Sequence, residues 1–595
     1  MSDASVRPAP ATGFATRERI ALVAIFVLAA ALRFAFWSEL RDTPLDRWQR
    51  FDQSDMATYV EQAHRIQQGD LLQPAPYHPY HSWQTVAPPE KWLAWYGPHS
   101  FHQAPAYSYA LAAVEPFAGD DFALVKAAQL LLGAGTCVLI FLIARQIGGF
   151  AAGIAAGLFA ALYGPAMFLE AQLLREGPAL FWMLAVTYAL MRHLAREETR
   201  RGKLVAACLA LGAAVGAFAA FHELGSVLFL AVLIALALGH ARRGVRAATL
   251  AVGCALIGWL IGFSPLLARN LAVGAPPFSV SCRTVINFVE SNVADAQDGG
   301  ATFAPPGPTV VRVLDEAHGS GLAALRGVWR TYDGDVGRAL GNLWTKFTAN
   351  GVPWEIPDNT SFEFFREHAT TLRFAPTFRV LFPLGFAGLI AAAWLRMRRR
   401  AAPASREELR RAKRKGEATV AEQQVSETRR SGQPVLLVLF LGLCISLSLV
   451  HTVARFRMYL VPILVVYAGF GLALAWRAFQ ERRGQPVVAL ALCVAAGALL
   501  QAWIPTAAFE HGVRPVDFMV ASKLAIERGE NERVRAYCDR AREQFPRESM
   551  VPAMAGQEFE HAGQREFAVE FYRRALELDP NSAFARAALQ RLRAN

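Results

Sequence analysis

The feature that most constrains this chain is a series of apolar stretches, each long enough to cross a hydrocarbon core of roughly 30 Å. They fall near residues 20–37, 122–143, 150–169, 177–195, 204–221, 224–239, 247–267, 378–396, 434–452, 458–476 and 486–504. Of these eleven, 150–169 and 224–239 are marginal. The composition agrees: 54% hydrophobic, 18% charged and a mean hydropathy of +0.24 exceed what a soluble domain carries. The expected fold is therefore all-α, a polytopic membrane bundle of about 11 spans. No cleavable signal pattern opens the chain, because the segment from Arg19 runs on at spanning length. Membrane enzyme, transporter and scaffold are the classes this leaves.

Loop charge sets an orientation. "MRHLAREETRRGK" (191–203), "HARRGVR" (240–246) and "ERRG" (481–484) are short and basic, which marks them as cytoplasmic. The stretch 396–433 holds twelve Lys/Arg against five Asp/Glu, and reads as a solvated cytoplasmic loop beside anionic lipid rather than a nucleic-acid tail. Alternation then puts 38–121, 268–377 and everything after 504 outside. The first outer loop carries eleven acids against five bases, opposite in sign to the inner loops. The expected placement is a bacterial inner membrane, N-terminus cytoplasmic and C-terminus periplasmic.

Residues 505–595 form a separate, helical-repeat domain. "ERGENERVRAYCDRAREQFP" (527–546) and "EHAGQREFAVEFYRRALELDP" (560–580) align at a constant offset, with Gly529 matching Gly563, Ala541 matching Ala575 and Pro546 matching Pro580. A 34-residue period with small residues at the helix crossing is the tetratricopeptide pattern. Two repeats need support from 505–526, from a capping helix at 581–593 or from the outer loops. The expected role is an interaction module for a protein partner. Five cysteines lie in apolar spans. Cys282 and Cys538 fall outside, where a disulfide could persist but no spacing argues for one.

Chemistry enters at "FDQSDMATYVEQAHRIQQGD" (51–70), just beyond the first span. Asp55, Tyr59 and Ala63 share one helical face, and Gly69 stands where a helix would stop. A carboxylate at the helix start stays ionised and can accept a proton. Asp52 is the neighbouring candidate. Downstream come "FHQAPAYSYALA" (101–112), Arg175–Glu176 and His222–Glu223 at span junctions, Arg269–Asn270 after the seventh span, and "HTVARFRMYLVPILVVYAGF" (451–470). Ionisable pairs at such hairpins are either solvated loop residues or cavity-lining groups.

In its order of motifs, this set resembles the polyprenyl-phosphate-dependent membrane glycosyltransferases of the C superfamily. It looks most like the bacterial dolichyl-phosphate-mannose–protein mannosyltransferase-like family, with the aminoarabinose and core-sugar transferases of lipopolysaccharide as relatives. The resemblance covers residues 20 to about 505. It implies a hexosyl or pentosyl transfer from a polyprenyl-phosphate sugar donor to a protein or glycolipid acceptor. An acidic residue on Asp-x-x-x-Tyr would act as base or orient the acceptor, which here is Asp55, with Asp52 next. Where members carry a basic residue before two prolines, this chain reads Gln103-Ala104-Pro105, leaving His102 to supply any basic group. Arg269 and Asn270 match an Arg-Asn pair, Asn287 or Asn292 a later Asn, and Arg455, Arg457 and Pro462 an Arg-x-Arg followed by Pro.

The residue types suit that reaction on their own terms. A departing phosphate develops negative charge at the interface, and guanidinium groups such as Arg269, Arg455 and Arg457 grip it bidentately. The acceptor hydroxyl needs a carboxylate to align or deprotonate it, and one suffices for single-step inversion. Tyr59, His102, Gln103, Glu176, His222, Asn270 and Asn287 are the further cavity candidates. No metal site is expected from ligand spacing, although a divalent metal on Asp55 and a second acid stays open. Two readings compete with the transferase: a lipid or glycan transporter or flippase, whose ionisable track would lie at mid-membrane, and a non-catalytic scaffold presenting the repeats. Nucleic acid is not an expected partner.

Overall fold

The computed structural model describes residues 16–80, 84, 86–97, 99–119, 121–196, 200–241, 243–296, 305–401, 432–505 and 512–594, and every regular element among them is helical. Most of the basic 396–433 stretch lies outside the described residues.

Seven helices are long and apolar enough to cross a membrane: Thr16–Leu40, Ala123–Gly148, Arg201–Phe221, Val245–Val273, Phe378–Arg398, Val461–Gln480 and Gly484–Ala502. The chain is thus a multi-pass helical bundle. Four sequence expectations come out differently. The expected span 177–195 is the 20-residue helix Glu176–Ala195, which Glu176, Arg192 and His193 keep out of the seven. The stretch 150–169 is two helices, Phe150–Leu162 and Gly164–Glu170, bent by 56°. Tyr163 is extended between them and Pro165 opens the second helix, where its missing N–H and ring fit a start but not an interior. Gly225–Ala241 and Gln433–Ser448 are apolar but only 17 and 16 residues long. The latter stops short because the chain unwinds after it, and Asn292 Nδ2 donates to the freed Leu449 carbonyl at 2.7 Å.

Glycine sets a close helix crossing. Gly212 and Gly216 on Arg201–Phe221 face Gly258 and Gly262 on Val245–Val273. A Cβ at any of the four would overlap backbone of the other helix, at Ala255, Trp259, Leu209 and Ala213 respectively. Paired small residues four apart let two membrane helices touch backbone to backbone.

At one end of the bundle the two long loops fold into short helices. The N-terminal one, Asp55–Gln67, is capped by Ser54, whose hydroxyl accepts from Ala57 N at 3.1 Å, and it buries Tyr59 and Ala63. Gly69 ends it with φ +98. Two arginines tie these loops down. Arg269 donates to the carbonyls of Leu72 (2.8 Å), His99 (2.7 Å) and Gln73, and stacks on Phe101. Arg457 donates to Val352 O (2.6 Å), Trp354 O (2.7 Å) and Glu355 Oε2 (2.8 Å), over the Phe378 ring.

The C-terminal region is five helices, Pro515–Glu527, Asn531–Gln544, Met550–His561, Arg565–Leu578 and Ala583–Ala594. Gly529 and Gly563 turn the chain at φ +73 and +72, a conformation that L side chains resist. This region leans on the loop end of the bundle. Phe364 meets Phe518 edge-on at 5.1 Å, Arg540 pairs with Glu367 at 2.6 Å, and Arg528 donates to Asp42 O at 3.2 Å. Cys282 and Cys538 are both buried free thiols, Cys282 in a small core around Trp92 and Trp95, Cys538 in the C-terminal helices.

Candidate functional site

A cavity of about 430 Å³ opens between the loop helices and the end of the bundle. Its polar lining includes Asp55, His102, Gln103, Arg175, His222, Glu223, Arg283, Asn287, Lys346, Asp358, Asn359, His451 and Arg455.

Asp55 opens its helix at the first helical position, so its carboxylate stands free of the helix and faces a loop from the far end of the chain. Asn359 holds it twice: the amide oxygen accepts from Asp55 N at 2.7 Å, and Nδ2 donates to Oδ2 at 3.0 Å. Gln103 Nε2 donates to Oδ1. Arg455 Nη1 lies 2.6 Å from Oδ2, while Nη2 reaches Asp358 at 2.8 Å and Nε lies 3.6 Å from Glu176. Burial alone would raise the Asp55 carboxyl. The Arg455 charge, the Asn359 hydrogen bond and His102 outweigh it and hold the group well below the usual carboxylate range. Three carboxylates thus surround one guanidinium. Where two acids could have held a divalent cation, Arg455 supplies the positive charge.

A second ion pair frames the cavity. Arg175 grips Glu223 with both terminal nitrogens, at 2.6 and 3.2 Å, and Ala104 N donates to the same carboxylate at 3.1 Å. Burial pushes Glu223 up, Arg175 and His222 pull harder, and the carboxyl settles at about 2. Burial, and then the Arg175 charge, push His222 down to about 3. Lys346 differs from these cations. It is 1% exposed, and its ammonium meets only neutral acceptors, Ser291 O at 3.0 Å and Asn292 Oδ1 at 2.5 Å. Burial without a counter-carboxylate lowers it to about 7. The charges of Arg283, Arg455 and Lys346 all act on His451.

Among the described residues, at least five polar atoms of the lining are buried without a protein hydrogen-bond partner: Gln103 Oε1, Asn287 Oδ1, Arg175 Nε, His222 Nε2 and Arg455 Nε. Buried polar groups are normally paired, so this many in one cavity form a surface built for polar contents.

Of the sequence candidates, Asp55, His102, Gln103, His222, Asn287 and Arg455 meet in this cavity, and the others stand elsewhere. Asp52 is a solvent-facing carboxylate, 72% exposed, 3.8 Å from Lys523. Tyr59 is buried behind Asp55, edge-on to Tyr107 and 5.8 Å from the Arg175 guanidinium. Glu176 is 1% exposed and sits behind Arg455 rather than on the cavity wall. Arg269 and Arg457 spend their donors on backbone carbonyls and Glu355. Asn270 donates to the carbonyls of Pro276, Pro277 and Ser279, shaping the turn after its helix. Arg455 and Arg457 diverge because Ala454–Arg457 is a turn of helix, on which residues two apart do not share a face.

Sequence reasoning missed Asp358, Asn359, Arg283 and Lys346. "IPDNTS" (356–361) carries the signals of an ordinary turn and helix cap, and Ser361 is indeed the next N-cap. Lys346 shares an amphipathic helix, Val336–Ala349, with Arg338, and nothing local sets it apart. For metal ligation, His78, His102 and Cys282 bring their ligand atoms within 4.8 Å of one another at the cavity edge.

No family model matches the chain, and no curated protein matches it. Among solved structures it is similar to the Archaeoglobus fulgidus oligosaccharyltransferase AglB in complex with an inhibitory peptide and a dolichol-phosphate, at 12% identity and a TM-score of 0.41, over 86% of this chain and 58% of that one. The A. fulgidus enzyme tethered to an acceptor peptide containing the NVT sequon matches at 13% identity and 0.40, over 88% and 58%. Its complex with Zn and sulfate matches at 15% and 0.39, over 87% and 56%. The chain spans less than two thirds of the length of these structures.

Proposed function

We propose that the chain is an integral membrane glycosyltransferase that moves a sugar from a polyprenyl-phosphate donor to an acceptor hydroxyl at the cavity end of the bundle. The observation that carries this is the Asp55–Arg455 pair in a polar cavity that Lys346 and Arg283 also line. In the transfer, the bond from the anomeric carbon to the phosphate oxygen breaks as the acceptor oxygen attacks from the opposite face. The phosphate leaves with the electron pair, and the acceptor proton passes to Asp55 or to the departing phosphate.

Arg455 and Lys346 would stabilise the phosphate charge, Lys346 by taking up a proton as the anion arrives. In the free site Asp55 is a poor base, because Arg455 and Asn359 stabilise its anion. When a donor phosphate shares Arg455, the carboxylate regains basicity, so base strength and donor occupancy are linked. On the orientation read from the basic loops, this end would face the periplasm and a protein or glycolipid acceptor. The C-terminal helices, docked beside the cavity with a repeat period of 34 residues, would present or select that acceptor as tetratricopeptide-type modules do.

The test is transfer in liposomes from radiolabelled polyprenyl-phosphate sugars. Asp55→Asn should abolish product while the protein still inserts and elutes as a monodisperse species. Near-normal turnover in that variant would remove Asp55 from the chemistry. A reporter fused after Asn595 should be active only in the outer compartment.

A further inference from the structure

Far from the cavity, three ligand-type side chains converge from three different helices. His193 lies near the C-terminal end of Glu176–Ala195, Cys208 in the first half of Arg201–Phe221, and His240 near the C-terminal end of Gly225–Ala241. Each is roughly 20 Å or more along its own helix from the cavity end, at 1.5 Å per residue. His193 Nε2 lies 3.2 Å from His240 Nε2, Cys208 Sγ lies 3.9 Å from His193 Nε2, and all three atoms fall within 4.8 Å of one another.

The spacing has a chemical meaning. Two facing ring nitrogens can share only one proton as a hydrogen bond, and a thiol is a weak partner for either. A tetrahedral zinc ion with bonds of about 2.0–2.1 Å to nitrogen and about 2.3 Å to sulfur holds its ligand atoms roughly 3.3–3.6 Å apart. The two observed distances bracket that range. Cys208 is fully buried, His240 is 1% exposed, and His193 is half-buried, which leaves the fourth position open to water. Gly239, next to His240, packs on Leu194, where a Cβ would lie 2.6 Å from Leu194 Cδ2.

We propose that His193, Cys208 and His240 bind one zinc ion, which clips together the ends of three helices opposite the cavity. On binding, the Cys208 thiol loses its proton to solvent. Each neutral imidazole keeps its single N–H on Nδ1 and presents Nε2, so one proton is released per ion.

The test uses the full chain purified in detergent, stripped with a chelator and titrated with cobalt(II) as a coloured stand-in for zinc. A thiolate-to-cobalt charge-transfer band should appear, bleach on adding zinc, vanish in Cys208→Ser and persist in Cys282→Ser. Zinc affinity should fall by more than about tenfold in Cys208→Ser. Chelation should lower the melting temperature of the wild type and leave that variant unchanged. If Cys208→Ser is not monodisperse, His240→Gln serves for the same comparison. Absence of the band, or its survival in Cys208→Ser with loss in Cys282→Ser, would overturn the assignment, the second outcome by moving the metal to the cavity edge.

Discussion

Arg455 and Arg457 are two residues apart, both buried, and their surroundings oppose each other. Around Arg455 three carboxylates crowd one guanidinium, its Nε makes no hydrogen bond, and an open cavity lies alongside. Around Arg457 one carboxylate and two carbonyls take its terminal nitrogens, and an aromatic ring covers its face. Excess negative charge with an unpaired donor describes a place where another charged group can come and go. A complete set of partners describes a clamp. Burial alone does not tell a site from a scaffold; the remaining hydrogen-bonding capacity does.

The largest effect expected from this contrast is on the clamp. Arg457→Met strands Glu355 as a buried, unpaired acid, and should cost about 3–5 kcal/mol of stability. Thermal unfolding in detergent reads this directly, and an unchanged melting temperature would show that Arg457 is not clamping. Arg455→Lys should do the reverse. It keeps the charge but loses the planar fork, so kcat/KM for the donor should fall tenfold or more, on the order of 1.4 kcal/mol, with a melting temperature close to wild type.

The third prediction concerns pH. The Lys346 ammonium is lowered from 10.5 to about 7 by burial, so between those values the unfolded chain holds a proton that the native chain does not. Stability should therefore rise with pH across that window, and Lys346→Met should flatten the rise. Donor kcat/KM should instead decline above pH 7 as the cation is lost, and Lys346→Arg should remove the decline. A decline that persists in Lys346→Arg would assign it to another group. The smallest effect is at Asp52. Its exposed carboxylate faces Lys523 across 3.8 Å, and Asp52→Asn should leave turnover within about twofold.

The sequence by itself determined the broad architecture, since runs of apolar residues near 20 long can satisfy their backbone in lipid only as helices. It also placed Asp55 at the head of a helix and ended that helix at Gly69, because N-terminal and C-terminal signals are local. It could not separate the clamps Arg269 and Arg457 from Arg455, since an arginine at a span end has the same local pattern whether carbonyls or carboxylates await it. Nor could it find Asn359, which lies 304 positions from Asp55 in the chain, or Lys346, which is lowered by burial against residues of a different helix. The glycine crossing of Gly212 and Gly216 with Gly258 and Gly262 was equally hidden, because closeness of two backbones belongs to the pair of helices and not to either one. Local signals fix helices. Hydrogen-bond completeness and charge balance are set by residues distant in the chain, and only the tertiary structure decides them.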